Sequence, residues 1–67
     1  MTVRQLLQKQ KYHTKVTISY YSVMAGHDMT DEYSLFQYND LIYRHGNAIV
    51  QWFYIPHRAV PELFIEI

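Results

Sequence analysis

The feature that most constrains this chain is an uncharged stretch in its last third. Residues 48–56 read Ala-Ile-Val-Gln-Trp-Phe-Tyr-Ile-Pro. β-branched and aromatic residues at this density favour a β-strand, and an uncharged strand that is left uncovered pairs readily with other copies of itself. We therefore expect residues 48–55 to form a strand that is central in a sheet or buried at an interface between two copies.

The size of the chain limits how it can be stabilised. Its 67 residues predict a single domain, residues 1–67, which buries only about 60% of the surface of the unfolded chain. The absence of cysteine excludes disulfides and cysteine-based zinc sites. Seven tyrosines, three phenylalanines and one tryptophan carry more aromatic surface than so small a core can hold. We therefore expect a homodimer, or stabilisation by a partner.

The charge balance argues against several classes of partner. Six basic and six acidic residues cancel, so no net field steers nucleic acid or an anionic membrane toward the protein. No segment approaches the roughly 20 apolar residues of a membrane span, and no apolar signal core is visible at the N-terminus. These features predict a cytoplasmic protein.

The first residues predict a helix. Residues 2–5, Thr-Val-Arg-Gln, have the form of a capping box, in which the Thr2 hydroxyl and the Gln5 side chain each accept a hydrogen bond from the other residue's backbone N–H. The helix is predicted to end at about Lys11 or Tyr12. One face of it carries a narrow stripe at helical spacing: Val3, Leu6, Leu7 and Gln10.

Two segments alternate with the period of a β-strand. In residues 15–24, Val16, Ile18 and Tyr20 share one face, and the polar residues 25–31 that follow are predicted to form a loop. Residues 62–67 alternate in part, which places Leu63, Ile65 and Ile67 inward and two glutamates outward, where they would protect a sheet edge from pairing.

Residues 32–44 are ambiguous, because their apolar positions fit both a strand-turn-strand and a short helix that ends at Gly46. We favour two strands. Residues 45–47, His-Gly-Asn, form a turn in either case, and on the strand interpretation they join residues 41–44 to residues 48–55 as a hairpin.

No catalytic, cofactor-binding or metal-binding motif is present. The serines lack a Gly-x-Ser-x-Gly elbow, and His27, Asp28 and Asp31 would chelate a metal only if the chain curled around it. We therefore expect no enzymatic activity, no cofactor and no metal site. The four histidines are dispersed along the chain: His13, His27, His45 and His57.

Aromatic residues are the best candidates for a binding surface. Tryptophan and tyrosine are enriched among the residues that contribute most to protein–protein binding. We predict a protein-binding surface formed by Tyr20, Tyr21, Trp52 and Tyr54. The structural alternative is that Trp52 is simply the largest residue of the core.

Several short motifs resemble small uncharacterised proteins of phages and prophages in Gram-positive bacteria. They are the opening Thr-Val-Arg-Gln-Leu-Leu, the Thr-Lys-Val-Thr-Ile of residues 14–18, the Leu-Ile-Tyr-Arg-His-Gly of residues 41–46 and the Ile-Pro of residues 55–56. The resemblance implies a phage or mobile-element accessory protein that acts in the host cytoplasm by binding a host protein. Inhibition of a host defence nuclease is one such role.

The sequence as a whole predicts an α+β domain, with the N-terminal amphipathic helix packed on an antiparallel sheet of about four strands. The expected function is protein binding without catalysis. The alternative is a nucleic-acid-associated accessory protein that uses the exposed tyrosines and the basic N-terminal segment, and a salt titration separates the two. The basic residues of that segment are Arg4, Lys9, Lys11 and Lys15.

Overall fold

Two helices and a four-stranded sheet form the part of the chain that this computed structural model describes, residues 1–9, 15–55 and 62–67. A short 3₁₀ helix, Leu35–Gln37, leads directly into the second α-helix. The elements in chain order are α1 (Val3–Lys9), β1 (Lys15–Ser22), β2 (His27–Ser34), α2 (Tyr38–His45), β3 (Trp52–Tyr54) and β4 (Glu62–Glu66).

Helix α1 begins as the sequence predicts. The Thr2 N–H donates to Gln5 Oε1 at 2.9 Å, and the Gln5 N–H donates to Thr2 Oγ1 at 3.2 Å. This capping box satisfies two backbone donors that have no partner inside the helix. The predicted apolar stripe is buried at Val3, Leu6 and Leu7, whereas Gln10 and the predicted helix end lie outside the described residues.

The sheet is mixed, with strand order β2-β1-β4-β3. Strand β1 pairs antiparallel with β2 and parallel with β4, and β4 pairs antiparallel with β3. The α+β class and the number of strands are therefore confirmed, but the prediction of an antiparallel sheet is wrong. Period-two alternation predicts which face of the sheet each residue lies on. It does not predict whether the neighbouring strand is parallel or antiparallel.

Strands β1 and β2 form a hairpin whose connection is shorter than the sequence predicts. Strand β1 ends at Ser22 rather than at residue 24, and the chain reverses through a turn that ends at Gly26, whose φ is +75°. Residues 25–31 were expected to be a loop, but β2 begins at His27 and runs to Ser34. A polar edge strand of this kind has no apolar alternation to reveal it.

The preference for two strands in residues 32–44 is also wrong. After β2 ends, the Ser34 N–H donates to Gln37 Oε1 at 2.9 Å, and the chain continues through the 3₁₀ turn into α2, which buries Leu41. The helix ends at Gly46, whose N–H donates to the Ile42 carbonyl at 2.9 Å. The chain turns there, but no hairpin joins residues 41–44 to residues 48–55.

Strand β3 lies at an edge of the sheet and not at its centre. It comprises only Trp52–Tyr54, and all three residues are exposed. The two inner strands are β1 and β4. Because β4 has a neighbour on each side, Glu62 and Glu66 do not guard a sheet edge. The prediction of a central strand is therefore wrong, whereas burial at an interface between two copies stays a prediction.

One apolar core joins the helices to the sheet. Ile18 and Ile65 face each other across the parallel β1–β4 pair and are fully buried. Tyr33 of the edge strand β2 also belongs to this core. The buried residues are Val3, Leu6, Leu7, Val16, Ile18, Tyr33, Leu41, Leu63 and Ile65.

Candidate functional site

In the part of the chain that the structure describes, the helices pack against one face of the sheet. Val16 and Ile18 of β1 point toward the helices and the core, so the residues between them and their register partners lie on the other side. We call this second side the open face. Its residues are Lys15, Thr17, Ser19 and Tyr21 on β1, Asp28, Thr30, Glu32 and Ser34 on β2, Glu62, Phe64 and Glu66 on β4, and Trp52 and Tyr54 on β3.

An aromatic cluster of Trp52, Tyr54 and Phe64 occupies one side of the open face. The Trp52 and Tyr54 rings are nearly parallel, at an interplanar angle of 16° and a centroid distance of 5.2 Å. Phe64 lies next to both, with centroid distances of 6.0 Å to Trp52 and 5.0 Å to Tyr54. Trp52 and Tyr54 stand two residues apart on one strand, which is the spacing that places side chains on the same face.

Much of this cluster is accessible to solvent. Trp52 is 49% exposed and Tyr54 is 43% exposed. Phe53 between them is also exposed, but its register partner is the buried Ile65, so it lies on the opposite face of the sheet. An exposed aromatic cluster of this kind is a candidate site of interaction, because leaving apolar surface in water costs free energy.

The four residues predicted as a binding surface do not share one face. Trp52 and Tyr54 lie together, and Tyr21 lies on the open face beyond the end of β4. Tyr20 points to the opposite side of β1, with its ring centroid 5.5 Å from that of His45. Sequence reasoning did not include Phe64, although its place between two outward glutamates indicated the open face.

A second cluster ties α2 to the edge strand β2. His45 Nε2 lies 3.1 Å from Asp31 Oδ2, and the two side chains are 13% and 30% exposed. The Tyr33 hydroxyl donates to the same carboxylate oxygen at 3.4 Å, and the Tyr33 ring meets His45 edge-on at 6.0 Å. His45 is 14 residues from Asp31 in sequence, which is why sequence reasoning did not group it with Asp31 and Tyr33.

A polar groove of about 260 Å³ lies beside this second cluster. Burial and the neighbouring Asp31 carboxylate raise the pKa of Tyr33 above its ordinary value of 10.0, against an opposing effect of Arg44. Tyr33 is therefore a neutral donor at physiological pH. The groove is lined by Thr30, Asp31, Glu32, Tyr33, Gln37, Asp40 and Arg44.

The contacts of this second cluster hold α2 against β2. His45 Nε2 is engaged by Asp31, and the rings of Tyr20 and Tyr33 lie next to its imidazole. His27 Nδ1 lies 2.8 Å from the Asp28 carbonyl. Among residues 1–9, 15–55 and 62–67, no three histidine or carboxylate side chains converge as metal ligands.

The basic N-terminal segment is divided between different parts of the fold. Arg4 and Lys9 are exposed on α1, whereas Lys15 Nζ on the open face lies 3.1 Å from Glu32 Oε1. Lys11 is outside the described residues. Within the described part of the chain, no helix has the length and apolar character that crossing a membrane requires.

Comparison with protein-family models, with curated proteins and with solved structures gives no match for this chain. The aromatic cluster on the open face is therefore the observation from which a function can be proposed.

Proposed function

We propose that this is a non-catalytic accessory protein, encoded by a phage or mobile element, that acts in the cytoplasm of its bacterial host by binding a host protein. The aromatic cluster is the centre of the contact surface. The observation that carries the proposal is the stacking of Trp52, Tyr54 and Phe64 in a position that remains accessible to solvent.

The arrangement of the rings suits binding. Stacking holds Trp52 and Tyr54 in one orientation before a partner arrives, so little side-chain entropy is lost on association. Rigid, half-exposed aromatic rings are the side chains that most often dominate the energetics of protein interfaces. Only part of the surface of these rings is buried in the folded domain, so the remainder is available to a partner.

The charged contacts favour this function over the nucleic-acid alternative. A phosphate track needs several free basic groups along one surface. Lys15 is paired with Glu32 on the open face, and the tyrosines of β1 are divided between the two faces. Protein binding, with inhibition of a host enzyme such as a defence nuclease as one outcome, is therefore the function that we propose.

Affinity capture from a Gram-positive bacterial lysate, followed by mass spectrometry, tests the proposal. Three baits are compared: the unaltered protein, the double variant Trp52→Ser with Tyr54→Ser, and the control Tyr43→Ser. Tyr43 is 91% exposed on α2 and is not part of the open face. Circular dichroism checks that each bait is folded.

We expect one host protein to be captured by the unaltered bait and by the control, and to be lost with the double variant. With the purified partner, the double substitution should weaken binding by about 2 kcal/mol or more, which is about thirtyfold in the dissociation constant. Equal capture by all three folded baits would place the contact surface elsewhere, and the absence of any captured protein would count against the function.

Self-association stays a separate prediction. Strand β3 is at the edge of the sheet, and neither β3 nor the following Ile55 carries a charge that would prevent a second copy from pairing along that edge. Size-exclusion chromatography with light scattering should show a dimer at micromolar concentration. A monomer mass over the whole accessible range would contradict it without bearing on the host partner.

A further inference from the structure

We infer that the open face recognises a basic, arginine-bearing surface of the partner. This inference rests on the proposed function and specifies the chemistry of the partner. It starts from the distribution of charge, because a chain with no net charge is not neutral on each side once it is folded.

The fold sorts the charged residues to different sides. Four of the six acidic residues lie on the open face, and Lys15 is the one cation of that face among the residues that the structure describes. The other basic residues that the structure describes, Arg4, Lys9 and Arg44, are on the helices, which contribute to the core on the opposite face. The four acidic residues of the open face are Asp28, Glu32, Glu62 and Glu66.

Two of these carboxylates border the aromatic cluster. Glu66 is the register partner of Trp52, and Glu62 lies two residues before Phe64 on the same strand and the same face. Both glutamates are partly buried. Lys15, the cation closest in register to Glu62, lies within ion-pair distance of Glu32 on the neighbouring strand.

Arginine matches this combination of groups. A guanidinium stacks on the face of tryptophan or tyrosine and donates paired hydrogen bonds to a carboxylate. An apolar partner would cover the aromatic cluster but would also remove water from the Glu62 and Glu66 carboxylates. It offers them no hydrogen-bond donor in exchange, so this desolvation costs free energy. Charge complementarity therefore selects a basic partner over an apolar one, including a second copy that would present the same glutamates.

A short peptide of alternating arginine and glycine provides the first test. Trp52 is the only tryptophan of the chain, so its fluorescence reports directly on the open face. We expect a saturable change in Trp52 emission with this peptide and none with the matching peptide of glutamate and glycine. The apparent affinity should fall as salt rises from about 50 to about 300 mM, since exposed charges are then screened.

Charge-neutralising variants give the sharper test. Glu62→Gln and Glu66→Gln should each weaken binding of the arginine peptide by about two- to fivefold, as expected for ion pairs at the protein surface. Asp40→Asn is the matched control, because Asp40 is on α2 and outside the open face. It should leave the affinity unchanged.

Three outcomes would overturn the inference: no saturable change with the arginine peptide, equal binding of the glutamate peptide, or equal effects of the control and the two glutamate variants. A second copy seated on the open face would overturn it as well, and would show as Trp52 emission that shifts on dilution while the arginine peptide has no effect. If a captured host protein depends on Trp52 and Tyr54 but is insensitive to salt and to Glu66→Gln, the proposed function stands and only this inference fails.

Discussion

Replacing Ile65 and Trp52 separately by alanine distinguishes the core from the exposed aromatic cluster. Ile65 is fully buried at the centre of the sheet, opposite Ile18. Its alanine variant loses three carbon groups at about 0.8 kcal/mol each, and the cavity left behind brings the expected cost to about 3–4 kcal/mol. Trp52 is 49% exposed, so Trp52→Ala should cost only about 1–2 kcal/mol.

Urea denaturation followed by circular dichroism measures both costs, since Trp52→Ala removes the fluorescent probe. A domain of this size has a stability of about 3–10 kcal/mol, so Ile65→Ala risks complete unfolding. Ile65→Val keeps the experiment readable, with an expected loss of about 1 kcal/mol. A loss for Trp52→Ala as large as that for Ile65→Ala would refute this reasoning, because it would mean that the folded domain buries the Trp52 ring as completely as Ile65.

Three further changes test individual contacts. Thr2→Ala should lower the free energy of unfolding by about 1 kcal/mol, because it removes the capping hydroxyl; thermal denaturation measures this. A double-mutant cycle of Asp31→Ala and His45→Ala should give a coupling of about 1 kcal/mol, and strict additivity of the two losses would contradict the contact. Because the pKa of Tyr33 is raised above 10.0, the unfolded chain releases this proton first as the pH increases. The free energy of unfolding should therefore fall above about pH 10, and Tyr33→Phe should reduce that fall in urea titrations.

Local sequence patterns predicted the secondary structure correctly where one side of a helix or strand is buried and the other side is not. The capping residues Thr2 and Gln5 and the alternation of β1 identified their elements correctly. The inward positions of β4 were also correct at Leu63 and Ile65. In each case the signal lies within a few neighbouring residues, so no knowledge of distant contacts was needed.

The errors have a common physical origin in long-range pairing. Strand β2 lies at the edge of the sheet and is polar, so its sequence does not alternate between apolar and polar residues. It is a strand because its backbone pairs with that of β1. The uncharged segment around β3 was expected to be central in the sheet or buried between two copies, but β1 and β4 pair with each other and form the two inner strands. Neither local propensity nor residue charge encodes which strands become neighbours.

The candidate site was predictable in part for the same reason. Trp52 and Tyr54 are two residues apart, so a strand places them together whatever its position in the sheet. Phe64 joins them only through the β3–β4 register. The separation of Tyr20 from Tyr21 follows directly from the alternation of β1, whose inward residues the sequence had identified.

The parallel pairing of the first strand with the last also has a consequence for folding kinetics. Strand β4 (Glu62–Glu66) lies between β1 and β3. The sheet therefore cannot form on a growing chain until this last strand has been synthesised. Contacts of such large sequence separation slow folding. During that delay the uncharged residues around β3 are exposed to other nascent chains, which is when aggregation is most probable.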